Sequence, residues 1–250
     1  MAPMRNFKAT LSYDGSAFHG WQTQPGLRTV QQTLEDALQR LFSQERVRVN
    51  ASGRTDTGVH AVGQVVNFLS TTRIPTDRLR PAINAHLPED VLVRSVAEVP
   101  LDFDANRDAV RKMYRYVLHD GEVPDLFWRR FCWHTRVRLD AQAMARAAAP
   151  LRGTHDFRCF ETEWPNRASS VRTVTHLAVN RFGDWLWLDV EADGFLYNMV
   201  RAIAGSLVDV GRGYRPEGWL ADVLHAGDRT QAGPTAPAQG LFLLRVTYDS

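Results

Sequence analysis

Residues 46–69 read RVRVNASGRTDTGVHAVGQVVNFL. The two ends, near 46–51 and 62–69, are rich in Val and alternate enough to predict β-strands. Between them, ASGRTDTGVHA (51–61) holds two glycines, three hydroxyl side chains (Ser52, Thr55, Thr57) and only two charges, Arg54 and Asp56, followed closely by His60 near its end. Gly53 and Gly58 allow backbone shapes closed to other residues. A hairpin turn needs fewer residues. The stretch is therefore either an elaborate connection or a loop built to present Arg54 and Asp56.

Working outward, NFKATLSYDG alternates Phe7, Ala9, Leu11 and Tyr13 before turning at Asp14–Gly15, which predicts a strand. TVQQTLEDALQRLF predicts a helix with Thr29 as its cap, Gln32 as capping-box partner and Val30, Leu34, Ala37, Leu38 and Leu41 as its apolar stripe. TDRLRPAINAHL reads as a helix interrupted by Pro81, and VLVRSVAEV as a strand. In the second half, AVRKMYRYVLH is a long strand with Val110, Lys112, Tyr114, Tyr116 and Leu118 on one face. A helix capped by Asp140, an irregular stretch over 153–170, and two strands joined at Gly183–Asp184 follow. Then come an apolar helix from Phe195 to Val210, a short helix near PEGWLADVLHA, and a last strand, GLFLLRVTYD. Strands and helices mix without regular βαβ alternation, so the expected class is α+β, with helices laid on a largely antiparallel sheet.

Composition narrows the function classes. The 250 residues are 44% hydrophobic and 23% charged, as in ordinary globular chains. Lys8 and Lys112 are the only lysines among 30 basic residues, so 28 are Arg. Arg suits phosphate contacts and base stacking, but genome composition also accounts for the bias, and a net charge of +2 names no partner. Two distant cysteines, Cys132 and Cys159, exclude a disulfide scaffold and a cysteine zinc site, and eight scattered histidines give little support to any metal. The start, MAPMRNFKATLSYDG, lacks the apolar core of a signal peptide, and no apolar run is long enough to span a membrane. The expected compartment is the cytoplasm.

Three constellations could carry chemistry. Arg201 lies mid-way in a helix apolar on nearly every side, and a buried guanidinium needs a carboxylate, a carbonyl or an anionic ligand. Asp193 or Asp209 would make it structural; Asp56 would make it part of a site, held ionised by the arginine. Tyr114 and Tyr116, interleaved with Arg111, Lys112 and Arg115, read either as core tyrosines or as a base-stacking platform. Tyr13, Phe18, His19 and Trp21 on YDGSAFHGWQTQP are either binding residues or a cover for the core edge. Asp56 with His60 is also compatible with hydrolysis. These parts alone describe an α+β RNA-binding protein, an enzyme on a base or sugar being one form of it.

GRTDTGVHA resembles the active-site signature of the tRNA pseudouridine synthase I family. YDGSAFHGWQTQ, VQQTLEDAL, GQVVNF, INAHLPEDV, YRY, GTHDF, GFLYNMVR with GSLVDVG, and GLFL follow in that family's order across about the whole chain. The resemblance implies two similar α+β halves, 1–106 and 107–250, sharing a largely antiparallel sheet flanked by helices, with a basic cleft between them. It implies isomerisation of uridine to pseudouridine in the anticodon stem–loop of tRNA by a homodimer, with no cofactor, no metal and no DNA. It assigns Asp56 as the catalytic aspartate, and Tyr114, Arg54 and Arg201 as substrate-binding residues, Arg201 pairing with Asp56. One departure stands out: FDANRDA carries Asn106 where the family has an arginine, with Arg107 one place later.

Overall fold

The computed structural model describes residues 3–42, 46–162 and 169–249. The chain divides into two compact units, Met1–Val110 with Leu243–Ser250, and Arg111–Phe242. The last strand, which sequence order places in the second half, thus belongs mainly to the first unit.

In the first unit the strands are β1 (Arg5–Tyr13), β2 (Val49–Ala51), β3 (His60–Ser70), β4 (Val91–Val99) and the returning C-terminal strand, with helices α1 (Val30–Leu41) and α2 (Thr76–Asn84). β1 runs antiparallel to both β3 and β4, placing Phe7 opposite Phe68 and Ala9 opposite Val66. β2 pairs antiparallel with the far end of β3, so the Asp56 loop closes a β2–β3 connection. The alternation of β1 is the predicted one, with Phe7, Ala9, Leu11 and Tyr13 all buried. α1 buries Val30, Leu34, Ala37 and Leu38 of its predicted stripe, and Leu41 at its last turn is half-buried. Its cap differs. Thr29 makes no side-chain capping bond. The first-turn N–H groups of Val30 and Gln31 donate instead to the carbonyls of Gly20 and Trp21. Free helix N–H groups need some acceptor, and here a loop brought up by the fold supplies it. α2 runs through Pro81, which lies on its exposed side.

The second unit contains β5 (Ala109–His119), β6 (Trp133–His134), β7 (Gly153–Asp156), β8 (Val171–Phe182) and β9 (Trp185–Ala192), with helices α3 (Ala141–Ala148), α4 (Met199–Gly211) and α5 (Trp219–Ala226). β5, β9, β8 and β7 follow one another antiparallel across the sheet, and β6 joins β5 in parallel. Gly183, with φ 61°, makes the tight β8–β9 turn that its position after Phe182 predicts. Asp140 caps α3 by accepting from the N–H groups of Gln142 and Ala143. α4 is buried along nearly its whole length, as its composition requires. It starts at Met199 rather than Phe195, because Asn198 is left-handed (φ 60°, ψ 6°) and cannot sit in a right-handed turn. The chain ends in β10 (Leu241–Tyr248), next to β3 in strand order. A Cβ at Gly63 would stand 2.3 Å from the Leu244 carbonyl oxygen, which is why β3 carries a glycine there.

Candidate active site

The Asp56 loop is pinned from two directions. On the sheet side, Ser52 N–H donates to the Val65 carbonyl at 2.8 Å. Ser52 Oγ donates to Gln64 Oε1 at 2.7 Å, and Gln64 Nε2 donates to the Gly53 carbonyl at 2.9 Å. On the other side stands the loop between β1 and α1. Trp21 N–H donates to the Thr55 carbonyl at 2.9 Å, and the Tyr13 hydroxyl shares a 2.8 Å hydrogen bond with Thr55 Oγ1. Burial pushes the Tyr13 phenol up to about 12, so it stays protonated and available for that bond. Gly20 comes so near that a Cβ on it would lie 2.9 Å from the Thr55 oxygen, and one on Gly15 would lie 2.0 Å from the Val59 oxygen. Asp56 sits half-buried at the centre of this frame, with exposed Arg54 on one side and exposed Thr57 on the other.

The aromatic residues of YDGSAFHGWQTQP are therefore scaffold. Tyr13, Phe18 and Trp21 are buried, and only His19 is exposed. His60 is 1% exposed and its Nδ1 accepts the Gly15 N–H at 3.0 Å. That bond fixes Nδ1 as an acceptor, even though Asp14 Oδ1 stands 3.2 Å away. His60 thus braces the loop against the turn at Asp14–Gly15.

Tyr114 and Arg201 lie in the second unit. Tyr114, 9% exposed, meets Phe195 edge-on with ring centroids 5.1 Å apart. Tyr116, two residues on, is fully buried, and its hydroxyl donates to the Pro237 carbonyl at 2.6 Å. Burial raises its phenol far above the usual range, against the pull of the Arg201 charge. Tyr116 is a core residue and not part of a stacking platform. The arginines on the other face of β5 are likewise engaged. Arg115 grips Asp189 through Nε and Nη2 at 2.7 and 2.8 Å and lies over the Trp187 ring, and Arg111 stands 3.7 Å from Glu191. Cross-strand neighbours on β9 absorb both charges, which sequence spacing within β5 could not reveal.

Arg201 projects from the first turn of α4. Its Nε donates to the Ala236 carbonyl and its Nη1 to Asn198 Oδ1, both at 2.7 Å. The Ala236 N–H in turn donates to the Arg201 carbonyl at 3.1 Å. The two aspartates considered from sequence have other roles. Asp193 accepts the Thr173 N–H, while Asp209 is held above the usual carboxylate range by burial, with Arg212 and Arg215 pulling the other way. The loop that supplies Ala236 is locked to α4 at two small residues. A Cβ on Gly205 would meet the Pro234 oxygen at 1.8 Å, and Gly233 N–H donates to Ser206 Oγ at 2.9 Å. Sequence reasoning missed Asn198 and the 234–236 loop as parts of the arginine's surroundings. The signal for Asn198 was present as an asparagine directly before the apolar Met199–Val200 pair; a backbone carbonyl leaves no signal at all.

Among the described residues, no group of three His, Cys, Asp or Glu side chains is arranged to hold a metal ion, and no helix is long and apolar enough to cross a membrane. The family model described as tRNA pseudouridine synthase matches residues 9–108 and 147–249. The chain belongs to the tRNA pseudouridine synthase family. Asp56, Arg54 and Arg201 fall inside the matched residues of this synthase family, and Tyr114 falls between the two stretches. The tRNA pseudouridine synthase A of Moorella thermoacetica is 47% identical over 243 residues, covering 96% of this chain and 98% of its own. That of Bacillus licheniformis is 46% identical over 244 residues, with 97% and 99% covered. The synthase from Thermoanaerobacter sp. is 42% identical over 245 residues, with 98% and 100% covered.

Proposed function

We propose that this chain isomerises uridine to pseudouridine in the anticodon stem–loop of tRNA, with Asp56 as the essential carboxylate and no cofactor. The observation that carries the reading is the Asp56 loop itself: a half-buried carboxylate held from both sides, within a chain that matches a tRNA pseudouridine synthase over 96% of its length. In the reaction the N1–C1′ bond breaks, the base turns, and C5 bonds to C1′. The C5 proton leaves and N1 takes one up. The sugar passes through an electron-poor state at C1′, which a carboxylate at that carbon stabilises, as in glycoside chemistry. The target uridine must first leave the base stack.

In this reading Arg201 pairs with Asp56 and keeps it ionised. Tyr114 covers the detached base by stacking, and exposed Arg54 meets RNA phosphate. The reading extends to a homodimer in the cytoplasm. The exposed apolar side chains Val123, Leu126, Phe127 and Trp128 form a surface of the kind a second copy would cover.

The test is incubation with unmodified tRNA transcripts carrying C5-tritiated uridine. Wild type should release tritium and form pseudouridine. Asp56→Asn, nearly the same size but without the charge, should fold, bind tRNA and release none. Free uracil from wild type would replace the isomerase with a hydrolase, and binding without tritium release would leave an RNA-binding module.

A further inference from the structure

Asn198 is one of two non-glycine residues with positive φ among the described residues, at φ 60°. Glycine occupies the left-handed region most freely, and Asn is among the few side-chain-bearing residues that enter it. The position directly precedes α4, where glycine would satisfy the backbone alone. What glycine could not supply is the side chain, and that side chain is engaged at both ends. Oδ1 accepts from Arg201 Nη1, and Nδ2 donates to Thr162 Oγ1, each at 2.7 Å. With the Ala236 carbonyl on Nε, at least two of the three guanidinium nitrogens of Arg201 are fixed. Two bonded nitrogens set the plane of the group, and a guanidinium recognises a carboxylate or phosphate through that plane.

We infer that Asn198 is a positioning residue: it sets the plane of the Arg201 guanidinium, and through Thr162 it ties that plane to the segment following the turn at Arg158–Phe160. The inference rests on the proposed role of Arg201. The main-chain bond from Ala202 N–H to the Asn198 carbonyl starts the helix and survives any change of side chain, so the two functions of the residue are separable.

The test is Asn198→Gly, because glycine adopts φ 60° freely and the fold is not put at risk. The melting temperature and the Kd for tRNA should stay near wild type, while kcat falls about tenfold. Asn198→Asp keeps an acceptor and tolerates the left-handed backbone, and should recover most of the loss. In an Arg201→Lys background, where no planar fork remains to be oriented, Asn198→Gly should lower kcat by less than twofold more. Wild-type kcat in Asn198→Gly would overturn the inference, and so would a tenfold loss in the Arg201→Lys background. Wild-type kcat in Arg201→Ala would overturn it together with the assignment of Arg201. An inactive Arg201→Ala beside a fully active Asn198→Gly would remove Asn198 alone.

Discussion

Tyr114 and Tyr116 share one face of β5 and differ in what surrounds them. The Tyr116 hydroxyl is spent on the Pro237 carbonyl in a fully buried setting, and a Cβ on Gly240 would stand 2.7 Å from its ring. Tyr114 keeps a small exposed fraction and an edge contact to Phe195. Replacement at Tyr114 separates stacking from proton transfer. Tyr114→Phe keeps the ring and the Phe195 contact, so tRNA affinity should be unchanged; Tyr114→Ala should weaken it by roughly 1–3 kcal/mol. Should Phe bind normally yet fail to turn over, the hydroxyl moves a proton. Filter binding and single-turnover rates on the two variants distinguish these outcomes, and wild-type values for both would make Tyr114 a packing residue.

At the scale of elements, α4 and the loop crossing it act as one piece. Gly205 lets the Pro234 carbonyl approach the helix, and the same loop delivers the Ala236 carbonyl to Arg201. Gly205→Ala sets two effects against each other. Alanine favours the helix by about 1 kcal/mol over glycine. Its Cβ would overlap the Pro234 oxygen, and relieving such overpacking typically costs about 1–3 kcal/mol. Because the obstacle is backbone and not a movable side chain, the second effect wins. Thermal unfolding should show a lower melting temperature, and kcat should fall as the Ala236 carbonyl withdraws from Arg201. A variant more stable than wild type, with full activity, would mean that the loop and helix are not coupled.

At the scale of the whole molecule, buried charge governs the response to acid. The Asp120 carboxylate is fully buried and joins Arg181, Arg138 and the Leu139 N–H, tying β8 and the start of the α3 segment to the end of β5. Burial alone would raise its pKa. The Arg181 hydrogen bonds, the Leu139 N–H and the two arginine charges outweigh burial and hold it below the usual carboxylate range. A carboxyl depressed in the folded state binds protons more readily when unfolded. Its contribution is therefore complete above about pH 4, the ordinary Asp value, and is lost as pH falls through the folded value. Asp104, Asp140 and Asp156 are shifted the same way, and Asp209 oppositely. Denaturant midpoints should fall as pH drops below about 4 in wild type. Asp120→Asn should lose about 3 kcal/mol at pH 7 and show a shallower acid slope; equal slopes would detach Asp120 from acid stability. Association also belongs to this scale. Phe127 is 84% exposed, so Phe127→Asp should convert a sedimenting dimer to monomer with tritium release from a saturating short stem–loop largely kept. A monomeric wild type, or a Phe127→Asp dimer, would place the proposed interface elsewhere or remove it.

The sequence by itself determined whatever depends on neighbours along the chain. The α+β class, the β1 alternation, the α1 stripe, the burial of α4, the Asp140 cap and the Gly183 turn all follow from periods and caps spanning a few residues. Asp56 was legible as one of two charges, with Arg54, in a loop too long for a turn, and the family signature was legible in the same residues. Tertiary structure decided the partners. The acceptors at the start of α1 come from Gly20 and Trp21 and not from the Thr29 side chain; the arginines of β5 are taken up by β9; the orientation of Arg201 comes from Asn198 and Ala236; and the last strand belongs mainly with the first unit. The reason is physical. A buried donor must find an acceptor, but which acceptor arrives is settled by the path of the chain, and a backbone carbonyl looks the same in every residue.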